Sequence, residues 1–247
     1  MPIDAYSPCP GGTGKKVKFC CPDFLGQLEK IERMLDGDQF VACLKYIGQL
    51  EQQRADRACL LAIKCMLLRV DGQREAAEAA VAHFLNHHPD NPVALAESAM
   101  LTAASQGGRQ AMEILQRAIA AGGTEISSRV YEAIGTVAQV LLSEGHVPAA
   151  RALLVLQATI DRQDQRAVQM VMQLNRSSSV PLLVRDDRAL DTCAEDAPWK
   201  ARFDEAMASV DLARWSEAAG KLEALAGQVP DSPVIWRNLA VLRGWVA

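Results

Sequence analysis

Apolar side chains recur along this chain at the three-to-four-residue spacing of a helix face, and the arrangement itself repeats. Segments align on an alanine inside an amphipathic stretch: Ala42, Ala77, Ala111, Ala150 and Ala218, separated by 35, 34, 39 and 68 residues. The last interval is twice 34. Four positions after each alanine a larger apolar side chain falls on the same face, at Tyr46, Val81, Leu115, Leu154 and Leu222. Twelve positions before most of them stands a second small residue, Cys65, Ala99, Ala138 or Ala206. Small residues at both places let two antiparallel helices approach closely. Gly37, Gly72 and Gly145 stand five positions before Ala42, Ala77 and Ala150. A left-handed residue there would end one helix before a tight turn into the next. Gly107 falls one position late, and Ala213 takes the place in the last repeat. Pro89 and Pro230 each follow their alanine by twelve positions, where they would stop the second helix. The expectation is an all-α chain of stacked helix pairs.

This pattern resembles the tetratricopeptide repeat (TPR), most closely over residues 58–91 and 199–232, and it continues at Trp236, Leu239 and Ala240. The resemblance covers roughly 200 residues, enough for a continuous stacked core. It implies an α-α superhelix, a TPR-like helical-hairpin solenoid. Lys30 stands where a small residue is expected, so the first repeat is degenerate. The register divides the chain into a cysteine-rich knuckle at 1–22, repeats at 23–176, a linker or insert at 177–198 and C-terminal repeats at 199–247. In the insert, Pro181 and the serine run oppose the expected second helix. Asp186, Asp187, Asp191, Glu195 and Asp196 read there as a solvated loop, with residues 180–184 packed where the missing helix would lie. The last helix is expected to leave Trp236, Leu239, Ala240 and Leu242 uncovered. That suggests a truncated array, or a homo-oligomer formed through this helix.

Composition narrows the functional classes. The 247 residues are 49% hydrophobic but only 5% aromatic, with a net charge of −4. Nothing in this balance provides the clustered basic face of a nucleic-acid binder, so no nucleic-acid partner is expected. The longest apolar run, residues 59–68, is broken by Lys64 and falls short of a membrane span. Residues 1–12 lack the pattern of a signal peptide, which points to the cytoplasm. In that setting seven cysteines indicate free thiols or a metal site.

The most specific short signal is CPGGTGKKVKFCC at residues 9–21. A phosphate-cradling loop is excluded, because Lys16 stands where a magnesium-binding hydroxyl is required. The segment resembles the SEC-C motif, a short zinc knuckle. Cys9, Pro10, Gly12, Gly14, Lys15, Lys16, Lys18, Cys20 and Cys21 match it, and Thr13 is a conservative change. Gly11 departs, standing where the motif has its second zinc thiolate. The resemblance implies zinc on Cys9, Cys20 and Cys21, with a fourth ligand from water, from a side chain of the adjoining helices, or absent. A metal-free knuckle and a Cys9–Cys20 disulfide remain open beside it. Cys43, Cys59 and Cys65 sit among apolar helical neighbours and read as small core residues.

No nucleophile–base arrangement fits the repeat register, so a non-enzymatic scaffold that binds a protein or peptide is expected. In TPR proteins the first helix of each pair lines a concave groove. Carried over, that face holds Met66, Arg69, Met100, Gln139, Phe203 and Met207 as partner-binding residues. The alternative is a zinc-dependent docking or regulatory protein acting through the knuckle.

Overall fold

The computed structural model describes residues 3–54, 56–123, 126–178, 180 and 190–246. Among them, every regular element is helical, apart from an isolated antiparallel bridge between Pro8 and Lys16. A short helix α1 (Val17–Cys20) and a 3-10 turn (Pro22–Phe24) lead into four hairpins. These are α2 (Leu25–Asp36) with α3 (Phe40–Glu51), α4 (Ala58–Val70) with α5 (Arg74–His87), α6 (Pro92–Gln106) with α7 (Gly108–Gly122), and α8 (Ser128–Ser143) with α9 (Val147–Ile160). Then come α10 (Gln165–Arg176), α11 (Lys200–Asp211), α12 (Trp215–Gln228) and α13 (Pro233–Val246). Each hairpin packs on itself, and the first helices α4, α6 and α8 also pack on one another. Stacking of first helices on first helices is what makes a solenoid. The chain is an all-α, TPR-like stack of helical hairpins.

The residues that carried the repeat do the work expected of them. Cys65, Ala77, Ala99, Ala111, Ala138, Ala150, Ala206 and Ala218 are all completely buried. Gly72 and Gly145 turn between helices with φ of 73° and 83°, and Ala213 takes the same left-handed conformation at 55°. The helices α5 and α12 end just before Pro89 and Pro230.

The first repeat is shifted by one residue from the expected alignment. Gly37 has a φ of −94°, and the left-handed residue is Asp38, with φ 52°. Ala42 is exposed, whereas Cys43 and Ile31 are fully buried. Asp38, Cys43 and Ile31 each precede Gly72, Ala77 and Cys65 by 34 residues, which restores the common period. Lys30 no longer breaks the pattern: it lies outside the hairpin seam, its ammonium 3.9 Å from the centre of the Tyr46 ring.

The C-terminal helices fold back onto the earlier hairpins. α12 packs on α7, and α13 packs on both α9 and α7, so this block lies against the second helices of the third and fourth hairpins. The Gln116 carbonyl on α7 accepts from the backbone N–H groups of Trp215 (2.6 Å) and Ser216 (3.2 Å), at the start of α12. Trp215 and Trp245 stack edge to face at 5.3 Å. Ile235, Leu239 and Leu242 are buried, each contributing about 1.5–3 kcal/mol by leaving water. Of the four positions expected to be uncovered, Leu239 and Leu242 are covered by the chain itself, whereas Trp236 (47%) and Ala240 remain exposed.

Asn238 on α13 is fully buried. It exchanges two 2.8 Å hydrogen bonds with the backbone of Asp191, and Arg237 pairs with the Asp191 carboxylate. This end of the insert is thus tied to α13. Val180 is buried in the main core, while residues 181–184, Asp186 and Asp187 lie outside the described residues.

Candidate metal centre and partner face

The knuckle is built by its glycines and its bridge. Cys9 N–H donates to the Lys15 carbonyl at 2.9 Å and Val17 N–H to the Ser7 carbonyl at 2.9 Å, closing a narrow loop. Gly12 and Gly14 turn that loop with φ of 66° and 67°. The backbone of α1 then carries Cys20 and Cys21 back beneath Cys9. The Cys9, Cys20 and Cys21 sulfurs lie within 4.8 Å of one another, in keeping with the resemblance, and all seven cysteines are free thiols. Lys15 and Lys16 face solvent, with Lys18 half-buried beside them.

The knuckle shares a core with the first hairpins. Cys9, Val17 and Cys21 pack in one cluster with Leu28, Ile31, Cys43, Ile47, Cys59 and Leu60. Gly11 lies against the first turn of α4, and Gly12 against Val93 at the start of α6. Asn91 joins the pieces: its carbonyl oxygen caps α6 by accepting from Val93 N–H (2.9 Å) and Ala94 N–H (3.0 Å). Its amide nitrogen donates to the Gly11 carbonyl at 2.7 Å. One buried side chain thus serves a helix cap and an 80-residue tertiary contact.

A fourth sulfur joins the three. Cys21 Sγ lies 3.7 Å from Cys9, 3.5 Å from Cys20 and 3.2 Å from Cys59 Sγ. Thr13 Oγ1 donates to Cys20 Sγ at 3.2 Å. Cys59, expected to be an ordinary core residue, touches this group through Cys21. Sequence spacing carried no signal for it, because it stands 38 residues from Cys21 in an apolar helix.

The thiols are tightly coupled. Hydrogen bonds from Cys21 and then Cys59 hold the Cys9 thiol down, to about 2. Cys21 is pushed up by the bonds it makes to Cys59 and Cys9. For Cys59 the bond from Cys21 acts downward, but its bond to Cys9 and its burial prevail, raising it to about 12. Sulfurs turned toward one another in this way are a soft donor set of the kind that suits zinc. The three edges that meet at Cys21, 3.2–3.7 Å, approach the spacing of about 3.8 Å between sulfurs around a tetrahedral zinc with ~2.3 Å bonds.

The residues expected on the partner face divide in two. Met100 and Phe203 are core side chains, each 2% exposed, because α6 and α11 turn those positions into their packing seams. Met66 and Met207 are half-buried against the core. Arg69 and Gln139 do reach the surface. Arg69 on α4 donates to Glu97 on α6 (2.7 Å) and to Glu132 on α8 (2.8 Å). Arg129 pairs with Glu97 at 3.1 Å and also with Glu132. Side chains of α4 and α8 therefore meet above α6, as they do where a helix layer curves toward them. Gln139 lies two turns along α8 on the face of Glu132, and Met66 lies one turn from Arg69.

No family model matches the chain, and no curated protein matches it. Among solved structures, a chain described as "Structure of Naa15/Naa10 bound to HypK-THB" is similar over 87% of this chain, at 15% identity and a TM-score of 0.35. The match covers 38% of that chain, so this protein spans well under half the length of that neighbour.

Proposed function

We propose that this chain is a non-catalytic, cytoplasmic scaffold that binds a protein or peptide on the curved face of α4, α6 and α8. The observation that supports this reading most strongly is the Arg69–Glu97–Arg129–Glu132 network, which pins three successive first helices into one preformed surface. A rigid face loses little freedom on binding, and that favours affinity. Around it stand half-exposed charges and the adaptable Met66, chemistry suited to a peptide. No helix among the described residues is long and apolar enough to cross a membrane, in keeping with a partner met in solution.

The test places a photo-crosslinking residue at Gln139 and, as a control, at the exposed Glu113 of α7. The reading expects a discrete adduct from Gln139 alone, competed away by unmodified protein. Equal adducts from both positions, or none from Gln139, would overturn it.

A second reading has its own observation in favour. Tyr6 and Phe19 are 63% and 69% exposed on the knuckle. The Lys18 ammonium sits over both rings, 4.0 and 4.8 Å from their centres. Exposed aromatics beside lysines suit docking of an acidic protein segment, with zinc on Cys9, Cys20 and Cys21 holding the knuckle in shape. A photo-crosslinking residue placed at Lys15, not at Gln139, should then give the adduct, and replacing Tyr6 and Phe19 by serine should abolish it while the Arg69 network stays intact.

A further inference from the structure

We propose that Cys59, delivered by the first turn of α4, is the fourth thiolate of a zinc site with Cys9, Cys20 and Cys21, so that the metal fastens the knuckle to the helical array. The proposal rests on the zinc reading above and adds to it the ligand that the knuckle lacks.

Gly11 shows why the ligand comes from elsewhere. A Cβ at this position would stand 2.6 Å from the Ala58 carbonyl carbon and the Cys59 nitrogen, and 2.8 Å from the Ala58 methyl. No cysteine fits there while α4 is seated. The backbone that excludes a side chain at position 11 brings the Cys59 sulfur to 3.2 Å from Cys21. The loss of one thiol and the gain of another are thus consequences of one contact.

Three further features suit a ligand better than a packing residue. Cys59 is completely buried, yet its sulfur lies 3.2 Å from the Cys21 sulfur. It lies at the second residue of α4, a 13-residue helix whose N-terminal end favours negative charge on a thiolate. Positive groups on the knuckle and just ahead of α4 are available to offset the surplus negative charge of four thiolates around one divalent ion. Arg57, just before Cys59, donates to the Cys20 carbonyl at 3.3 Å, and Lys15, Lys16 and Lys18 lie on the knuckle itself. A packing role alone would be met by alanine, the residue at its neighbour Ala58. On metal binding each thiol that is still protonated gives its proton to solvent, with no change in oxidation state.

The experiment compares full-length wild type with Cys59→Ala and Cys20→Ala. X-ray absorption at the zinc edge counts sulfur neighbours, and chelator competition gives affinity. The expected result is one zinc with four sulfurs in wild type. Cys59→Ala should weaken binding by more than the ~10–100-fold typical of losing an outer-shell partner, with one sulfur fewer. If wild type binds zinc through three sulfurs and a lighter atom, and Cys59→Ala binds as tightly, the role of Cys59 is refuted while the knuckle site stands. If wild type takes up no zinc, the metal reading itself falls, and this inference with it. Should Cys59→Ala fail to fold by circular dichroism, the wild-type sulfur count alone decides.

Discussion

Asn91 offers a way to measure how firmly the knuckle is held, because its two ends do separable work. The side chain is 7% exposed, and its oxygen caps α6 while its nitrogen donates to the Gly11 carbonyl. Losing an N-cap costs about 1 kcal/mol. Leaving a buried carbonyl unpaired costs about 1–3 kcal/mol. Asn91→Ala should therefore destabilise by about 2–4 kcal/mol if the two contributions add. Asn91→Asp keeps the cap acceptor but replaces the donor with an oxygen facing the Gly11 carbonyl, so its loss of about 1–3 kcal/mol belongs to the knuckle contact. Carboxylates are favourable at helix N-termini, which makes any destabilisation by aspartate hard to attribute to the cap. Urea denaturation followed by circular dichroism provides the comparison, with Asn91→Ser as a variant that keeps a cap but cannot reach Gly11. An Asn91→Asp protein as stable as wild type would refute the argument.

Other expectations follow from single features of the fold. Gln116→Ala removes the acceptor for Trp215 and Ser216 N–H, and should cost about 1–2 kcal/mol. Its tryptophan emission should shift to the red at lower urea than wild type, whereas co-transition with wild type would count against the fold-back. Asp38→Gly relieves a left-handed non-glycine residue and should stabilise by about 1 kcal/mol, with Gly37→Ala nearly neutral; the reverse order would restore the unshifted register. Burial raises the Glu97 carboxyl above its ordinary range, partly offset by its bond from Arg69 and the charges of Arg69 and Arg129. A raised folded value means that its contribution is full below the unfolded value and is lost as pH rises through the folded one. Unfolding free energies of wild type relative to Glu97→Gln should accordingly fall as pH climbs from the normal carboxylate range. A relative stability that grows over that climb would contradict the assignment.

What could be read from the chain was local, and what escaped was tertiary. The glycines five positions before an alanine were legible because a left-handed turn has few chemical solutions, and Gly72 and Gly145 adopt it. The first repeat was misaligned because Gly37 and Ala42 stand next to Asp38 and Cys43, the residues in register, and offer the more usual chemistry for a turn and a seam. Cys9, Cys20 and Cys21 were readable from a thirteen-residue motif. Cys59 was not, because a cysteine in an apolar helix has the same sequence surroundings whether it fills space or meets another thiol. The return of α12 and α13 onto α7 and α9 left no periodic trace either. It depends on contacts such as Gln116 with Trp215, 99 residues apart.

The central claim is that the knuckle and the first repeats form one body, joined through Gly11, Asn91 and the cysteine group. Native-state hydrogen exchange of the full chain tests it most directly, by comparing the Cys9, Val17 and Cys21 amides with those in the cores of α4 and α6. If the account is correct, all of these amides are protected, open with a common free energy, and lose protection together in Asn91→Asp. Knuckle amides that exchange freely while α4 and α6 stay protected would show a separate module resting on the array, contrary to the account.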